Sequence, residues 1–395
     1  MRERSCRKSR ARVVILGGIV ALSVLVTGAE AAMRKGPYLI YPGNNTQMTV
    51  LWQLNVWQSC TLEWGLDTTY SAGSVVTNQY GTDRQHRHTI TGLTPGAKYY
   101  YRVTEGANHH TGSFRAAPPA DATSVKFLAY GDTRSYPSVH DMVNAGMVAT
   151  YTGDPDYQTI VLHSGDWVSD GDEEADWTDQ FFGRTRTNTL AMQANVPING
   201  CRGNHEDFAI VYRKYWPYPY VSPCYWSFDY GPAHIVVIDQ YRNYSPGSAQ
   251  LTWIENDLAA SDKPWKFLLY HEPGWGAGTS HANNAAVQTR LQPLCETYGV
   301  DIVIAGHNHN YARCGPVNGV WHITSGGGGA PLSTPNLSYP YVVTAAKEYH
   351  FCKIDIQDNR LTLTAVKSNG TVLDTFTITH DVPVETAISH WELYD

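Results

Sequence analysis

The apolar positions change their period once along the chain, near residue 117. Between residues 36 and 115 they fall in short strand-like runs, at 47–52, 61–64, 88–90 and 99–103, separated by Gly and Pro turns such as Leu93-Thr94-Pro95-Gly96. Short runs with frequent turns predict a small β-sandwich. Ala116-Ala117-Pro118-Pro119-Ala120 reads as a linker. Beyond it, apolar runs of buried-strand length at 125–130, 159–163, 234–239, 267–270 and 300–305 alternate with amphipathic stretches. One such stretch, 248–260, places Leu251, Ile254 and Leu258 on a single helical face. The alternation predicts an α/β core whose ligands project from the carboxyl ends of the strands. Residues 349–380 read as antiparallel strands turning at Asp358-Asn359 and Asn369-Gly370, and residues 381–395 carry no clear signal.

The amino-terminal end has a composition of its own. Arg2, Arg4, Arg7, Lys8, Arg10 and Arg12 precede an apolar run at 13–26 and then Ala29-Glu30-Ala31. This is the pattern of a secretory signal peptide cleaved after Ala31. The apolar run is short for a membrane span, and an uncleaved anchor is the alternative. The expected location is secreted or periplasmic, with no stable membrane insertion after cleavage. Residues 1–31 hold six basic and two acidic side chains, which leaves 23 basic and 34 acidic residues and a net charge of −11. Affinity for a nucleic-acid backbone rests on clustered Lys and Arg, so no nucleic-acid partner is expected and a small phosphorylated substrate fits better. Six cysteines remain: Cys60, Cys201, Cys224, Cys295, Cys314 and Cys352. An even count in an exported protein is compatible with disulfides, although connectivity is not readable from sequence. Cys201 with Cys224 and Cys295 with Cys314 are the expected pairs, with buried free thiols as the other reading.

Against this frame, five motifs fall in order: Gly131-Asp132, Gly165-Asp166, Gly203-Asn204-His205-Glu206, His271, and Gly306-His307-Asn308-His309. Each follows an apolar run and offers carboxylate, amide or imidazole donors. Two metal ions about 3.5–4 Å apart can clamp the attacking and leaving oxygens of a phosphoryl displacement and lower the pKa of a water. One carboxylate must span both, and Asp166 is the natural candidate. Neutral imidazoles suit iron, zinc or manganese, whereas carboxylate and amide oxygens are harder donors. A structural zinc, closed by four ligands rich in Cys, does not fit this set.

The order and spacing resemble the calcineurin-like metallophosphoesterases, and within them the purple acid phosphatase branch, from about Lys35 to about His380. Lys35-Gly36-Pro37-Tyr38-Leu39 and Trp52-Gln53 resemble the fibronectin-type amino-terminal domain of that branch. The resemblance implies a signal peptide at 1–31, a fibronectin type III-like sandwich at 35–117, a two-sheet α/β metallophosphoesterase domain at 124–380, and a tail of unknown role at 381–395. It further implies that Asp132 and His309 hold a first metal, that Asp166 bridges, and that Asn204, His271 and His307 hold a second. His205 would stand beside the phosphate. His281, ten residues beyond His271, would face the substrate or be a solvent-exposed loop residue.

Two positions depart from the family. Purple enzymes carry a metal-binding Tyr three residues after the bridging Asp, where this chain has Ser169. Other metallophosphoesterases carry a His two residues after the first Asp, where this chain has Arg134. A guanidinium has no free lone pair and cannot bind a metal. It can hold a phosphate oxygen or form a structural ion pair. Water, a substitute such as His140 or Asp170, or weaker metal binding at that site answers the shortfall; His140 otherwise reads as a helix-start polar residue and Asp170 as part of the acidic surface stretch 170–174, and a colourless protein is expected.

Other residues carry secondary expectations. His163 is read as a strand-end support, and Glu206 and Glu272 as orienters of imidazoles or surface carboxylates. Tyr215, Trp216, Tyr218 and Tyr220 are packing residues or pocket walls. Gly326–Gly329 lacks the Lys-Ser/Thr ending of a phosphate loop and reads as a tight turn at the site's rim. No Gly-x-Ser-x-Gly elbow is present. The leading expectation is a secreted binuclear phosphomonoesterase working by attack of a metal-bound hydroxide. A phosphodiesterase with the same metals, or a surface- or polymer-binding protein with a weakly active second domain, are the alternatives.

Overall fold

A computed structural model describes residues 31–78 and 83–381; the expected signal peptide, up to residue 30, and the tail beyond residue 381 lie outside the described residues. The amino-terminal part is a β-sandwich. One sheet orders Met33–Ile40, Met48–Leu54 and Gln85–Ile90, and the other orders Gly73–Thr77, Cys60–Gly65, Lys98–Glu105 and Asn108–Arg115, all antiparallel. Leu39, Val50, Trp52, Leu62, Tyr101, Val103 and Phe114 face inward and close its core. The short strand-like runs of the sequence are these strands, and Met48–Leu54 is buried along its whole length.

The second part has two mixed sheets. One orders Ile198–Gly200, Val161–His163, Ser124–Tyr130, His350–Gln357, Arg360–Lys367 and Val372–Thr379. Its first three strands are parallel and its last three form the expected meander, with Asp358 and Gly370 at positive φ in the turns. The other orders Trp226–Tyr230, Ala233–Val237, Trp265–Leu269, Ile302–Ala305, Val320–Ser325, Tyr311–Val317 and Val342–Ala346, with four parallel strands at its centre. The helix Ala249–Ala260 starts where expected, because the Ser248 hydroxyl accepts from the Leu251 amide at 3.3 Å, and it buries Ile254 and Leu258. Among the described residues no helix is long and apolar enough to cross a membrane.

The sandwich and the α/β part share apolar core. Tyr38, Ile40, Tyr41 and Leu51 pack in one cluster with Phe182, Tyr215, Trp216 and Phe228. Tyr38 donates to the Tyr215 carbonyl at 2.9 Å, and Asn199 pairs with the Tyr41 backbone through both amide atoms, at 3.0 and 2.9 Å. Tyr215, Trp216 and Tyr218 are therefore buried packing residues rather than walls of a substrate pocket.

The expected disulfides are corrected. All six cysteines are buried free thiols, and Cys295 and Cys314 belong to different apolar clusters. Cys60 accepts from the Trp52 indole at 3.3 Å. Burial pushes the thiols up, Cys60 to about 11 and Cys314 to about 12, which suppresses the reactive thiolate.

A buried cation ties the sheet edge to the helix. His234 lies 2.8 Å from Asp229 and 3.1 Å from Asp257, whose other oxygen accepts from Ser227. Burial, which disfavours an imidazolium, is outweighed by the two carboxylates, and His234 is raised to about 9. The raised value means the stabilisation is complete below the ordinary pKa of about 6.5 and is lost as pH rises through about 9. His234→Asn is accordingly expected to cost most in urea unfolding at pH 6 and least at pH 9.5. A cost that grows with pH would contradict the charged pair.

Candidate metal centre

The donors collect where parallel strands of the two sheets end. Asp132 follows Ser124–Tyr130, Asp166 follows Val161–His163, Asn204 and His205 follow Ile198–Gly200, His271 follows Trp265–Leu269, and His307 and His309 follow Ile302–Ala305. Carboxyl ends of parallel strands are where α/β sheets leave room for ligands. The loops are stitched by backbone bonds: Asp132 amide to Gly165 carbonyl at 2.9 Å, Thr133 amide to Asp166 carbonyl at 3.0 Å, and Gly306 amide to His271 carbonyl at 2.9 Å. Asp132, Asp166 and His307 have φ of 56, 56 and 66°, a sparsely populated region that turns each side chain out of its loop. Gly203 is required because a Cβ there would lie 2.1 Å from Asp166 Oδ1.

One group of donors forms a row of close neighbours. Asp166 Oδ1 lies 3.2 Å from His271 Nε2, which lies 3.2 Å from Asn204 Oδ1, which lies 3.1 Å from His307 Nδ1. His271 Nδ1 donates to the Ser164 carbonyl at 2.7 Å, so in the neutral ring Nε2 carries a lone pair. Oxygen and nitrogen lone pairs facing one another at this distance need positive charge between them. Donors at about 2.0–2.1 Å from one ion stand roughly 3.0–3.4 Å apart, so each neighbouring pair in this row has the spacing and the donor types of a metal site. Burial of His271 is outweighed by Asp166, which raises the ring to about 10. Burial of Asp166 is outweighed by His271, His205 and Arg134, which hold its carboxyl below the usual range.

Asp132, Asp166 and His309 form a second group whose donor atoms lie within 4.8 Å of one another. His309 Nε2 is 3.6 Å from Asp132 Oδ1, and both Asp132 oxygens accept from the His307 amide at 3.0 Å. Burial, then the charge of Arg134, lowers His309 to about 4, so its ring is neutral.

Residues 125–311 match the calcineurin-like phosphoesterase family and residues 35–116 match the purple acid phosphatase N-terminal domain. This is a calcineurin-like phosphoesterase domain behind a purple acid phosphatase N-terminal domain. Purple acid phosphatase 15 of Arabidopsis thaliana is 28% identical over 62% of this chain and 53% of its own length. The human acid phosphatase type 7 is 25% identical over 83% of this chain and 86% of its own length. The chain thus spans little more than half the length of the first of these relatives. Among solved structures, the yellow lupin purple acid phosphatase PPD1 superposes with a TM-score of 0.75 at 20% identity, over 89% of this chain and 75% of that one.

Within the phosphoesterase domain, the six expected donors Asp132, Asp166, Asn204, His271, His307 and His309 are brought together. His205 stands beside them, with Nδ1 donating to the Ser169 carbonyl at 2.6 Å and Nε2 3.8 Å from Asp166 Oδ2. His281 is exposed on the rim, its ring 4.0 Å from that of His307. His163 is a strand-end support, stacked at 3.7 Å on Trp167. Gly326 and Gly328 lie against the donor loops, where a Cβ would meet the Asn308 and Gly131 carbonyls at 2.2 and 2.3 Å.

Four readings left open by the sequence are decided by the geometry. His140 does not complete the first group: it is buried between Tyr130 and Phe181, with Nε2 3.1 Å from the Tyr130 hydroxyl. Asp170 has its carboxylate turned back to the Asp172 amide at 3.1 Å. Glu206 orients no imidazole. Its buried carboxylate accepts from the amides of Gly203, Asp166 and Trp167 at 2.6, 3.1 and 2.9 Å, fastening two donor loops together. Glu272 likewise accepts from Asn284 at 2.8 Å. Gln180 and Gln240 went unnoticed in the sequence. Gln240 accepts from the His271 and Glu272 amides at 3.0 and 2.6 Å, and such amide-to-backbone bonds leave no periodic signal.

Proposed function

We propose that the protein is a metal-dependent phosphomonoesterase, exported by a signal peptide cleaved after Ala31, with its sandwich at 35–117 and its catalytic domain at 124–380. The observation that carries this is the row of donors Asp166, His271, Asn204 and His307, each 3.1–3.2 Å from the next. Relatives named acid phosphatases support the monoester over the diester. Iron, zinc or manganese suits the mixed nitrogen and oxygen set, and two positions match the family's binuclear pattern, the second built from Asp132, Asp166 and His309. An ion held there supplies Lewis acidity to a phosphoryl oxygen and activates water.

The chain's own residues do the rest. Asn204 presents its carbonyl oxygen inward, and its amide nitrogen is left for a phosphate oxygen. His205, with Nδ1 donating to the Ser169 carbonyl, leaves Nε2 as the ring atom at which a proton is exchanged with a phosphoryl or leaving oxygen. His281, on the rim beside His307, is placed for the alcohol side of the ester. Arg134 adds a fixed positive charge.

Parallel assays on an aryl phosphate monoester and the matching diester, before and after chelation, test the reading. Monoester hydrolysis that chelation abolishes is expected, while preferential diester hydrolysis would replace it. His205→Ala is expected to lower kcat by roughly 10²–10³-fold with a smaller change in KM. An unchanged kcat would remove His205 from the reaction.

A further inference from the structure

The second group of donors already holds a cation. Arg134 Nε donates to Asp166 Oδ2 at 3.2 Å, and Arg134 Nη2 lies 3.2 Å from His309 Nε2. His309 Nδ1 is bonded at 2.8 Å to the Pro331 carbonyl, which can only accept, so Nδ1 carries the hydrogen and Nε2 the ring's one lone pair. That lone pair accepts from the guanidinium. It cannot bind a metal ion at the same time.

The guanidinium is braced by a chain of bonds whose direction is determined at both ends. Arg134 Nη1 can only donate, and it donates to Ser135 Oγ at 3.2 Å. Ser135 Oγ stands 3.2 Å from Ser169 Oγ, which stands 3.0 Å from Gln180 Oε1, an atom that only accepts. Each hydroxyl therefore donates toward Gln180, which also accepts from the Ser135 and Ser169 amides at 2.9 Å each. Gln180 lies on the π-helical turn Trp177–Phe181, a local irregularity that aims a side chain off the regular helical path. The two positions at which the chain departs from its family, 134 and 169, are thus parts of one unit. Among the bonds described, no Lys or Arg side chain meets Asn204 or His307.

We infer that Arg134 is the built-in cation of the Asp132–Asp166–His309 position, so that the protein loads a single metal ion, at Asp166, Asn204, His271 and His307. This rests on the metal-dependent reading above and revises its count. The guanidinium has five N–H groups, of which three are engaged by Asp166, His309 and Ser135, leaving two for a phosphate oxygen.

The test is metal content of the full chain, stripped by chelation, reloaded with excess Zn²⁺, passed through gel filtration and measured by elemental analysis. One ion per chain is expected for the wild type, two for Arg134→Ala, one for His309→Ala and none for Asn204→Ala. Two ions in the wild type, or loss of the ion in His309→Ala, would overturn the inference, and these hold even if Arg134→Ala does not fold. Arg134→Ala that folds and keeps one ion would overturn it as well. Monoester hydrolysis measured on the same wild-type sample separates the readings: an active protein with two ions sinks only the single-ion inference, and an inactive one with one ion sinks only the phosphatase.

Discussion

Asp166→Asn is expected to abolish phosphate-ester hydrolysis, lowering kcat/KM by about 10³-fold or more, while the chain stays folded. Removal of a single charge-stabilising group from a preorganised site already costs about 10²–10³-fold, and Asp166 serves more than one partner. Its Oδ1 faces His271 at 3.2 Å and accepts from the His205 amide at 3.2 Å, and its Oδ2 receives Arg134 at 3.2 Å. Asn is the substitution to use because φ at this position is 56°, a region Asn tolerates better than most residues. Its oxygen can keep the bond from His205, so folding is preserved while the charge disappears. Steady-state kinetics on a monoester, alongside circular dichroism and a urea melt, checks this. Activity within tenfold of wild type in a folded Asp166→Asn protein would end the assignment of Asp166 to the reaction.

The largest stability effect is expected at Glu206, which touches no substrate. Glu206→Ala removes the acceptor of three buried backbone amides, Gly203, Asp166 and Trp167. Leaving a buried donor unsatisfied costs about 1–3 kcal/mol, and partial relaxation or entry of water reduces the sum. A loss of about 3–5 kcal/mol in urea unfolding is expected, at the upper end of what single substitutions do. Glu206→Gln should fall between, since one side-chain oxygen still accepts while the new amide nitrogen turns a donor toward a backbone donor. Metal affinity should drop with stability, because Asn204 and Asp166 sit on the two loops that Glu206 fastens. A Glu206→Ala protein as stable as wild type would mean that water replaces the carboxylate fully.

These two residues show how unevenly the site was legible. Asp166 stood out because the chemistry demands a carboxylate after a strand, and Gly-Asp at the end of an apolar run supplies it. Glu206 was noticed only as the neighbour of His205. Its actual partners are backbone amides, and nothing in a side-chain pattern marks an amide as needing an acceptor. His140 was a reasonable candidate by spacing, yet a position early in the helix Pro137–Gly153 also faces the sheet, and the aromatic pocket of Tyr130 and Phe181 takes it. The cysteines were judged by parity and compartment, whereas pairing depends on where thiols lie in space, and these six are buried and free.

By itself the sequence determined the two-part architecture, the strands and the capped helix Ala249–Ala260, because burial on a pleated or helical surface imposes a period that side chains must obey. It also marked the six side chains that meet at the strand ends, and their order, because strand ends are local and the chemistry restricts the residue types. Only the tertiary structure decided which lone pair faces which cation. Arg134, Ser135, Ser169, Gln180 and His309 form one hydrogen-bonded unit across 175 residues of chain. Their meeting depends on how two sheets and a π-helical turn pack, and long-range packing of that kind writes no period into the sequence.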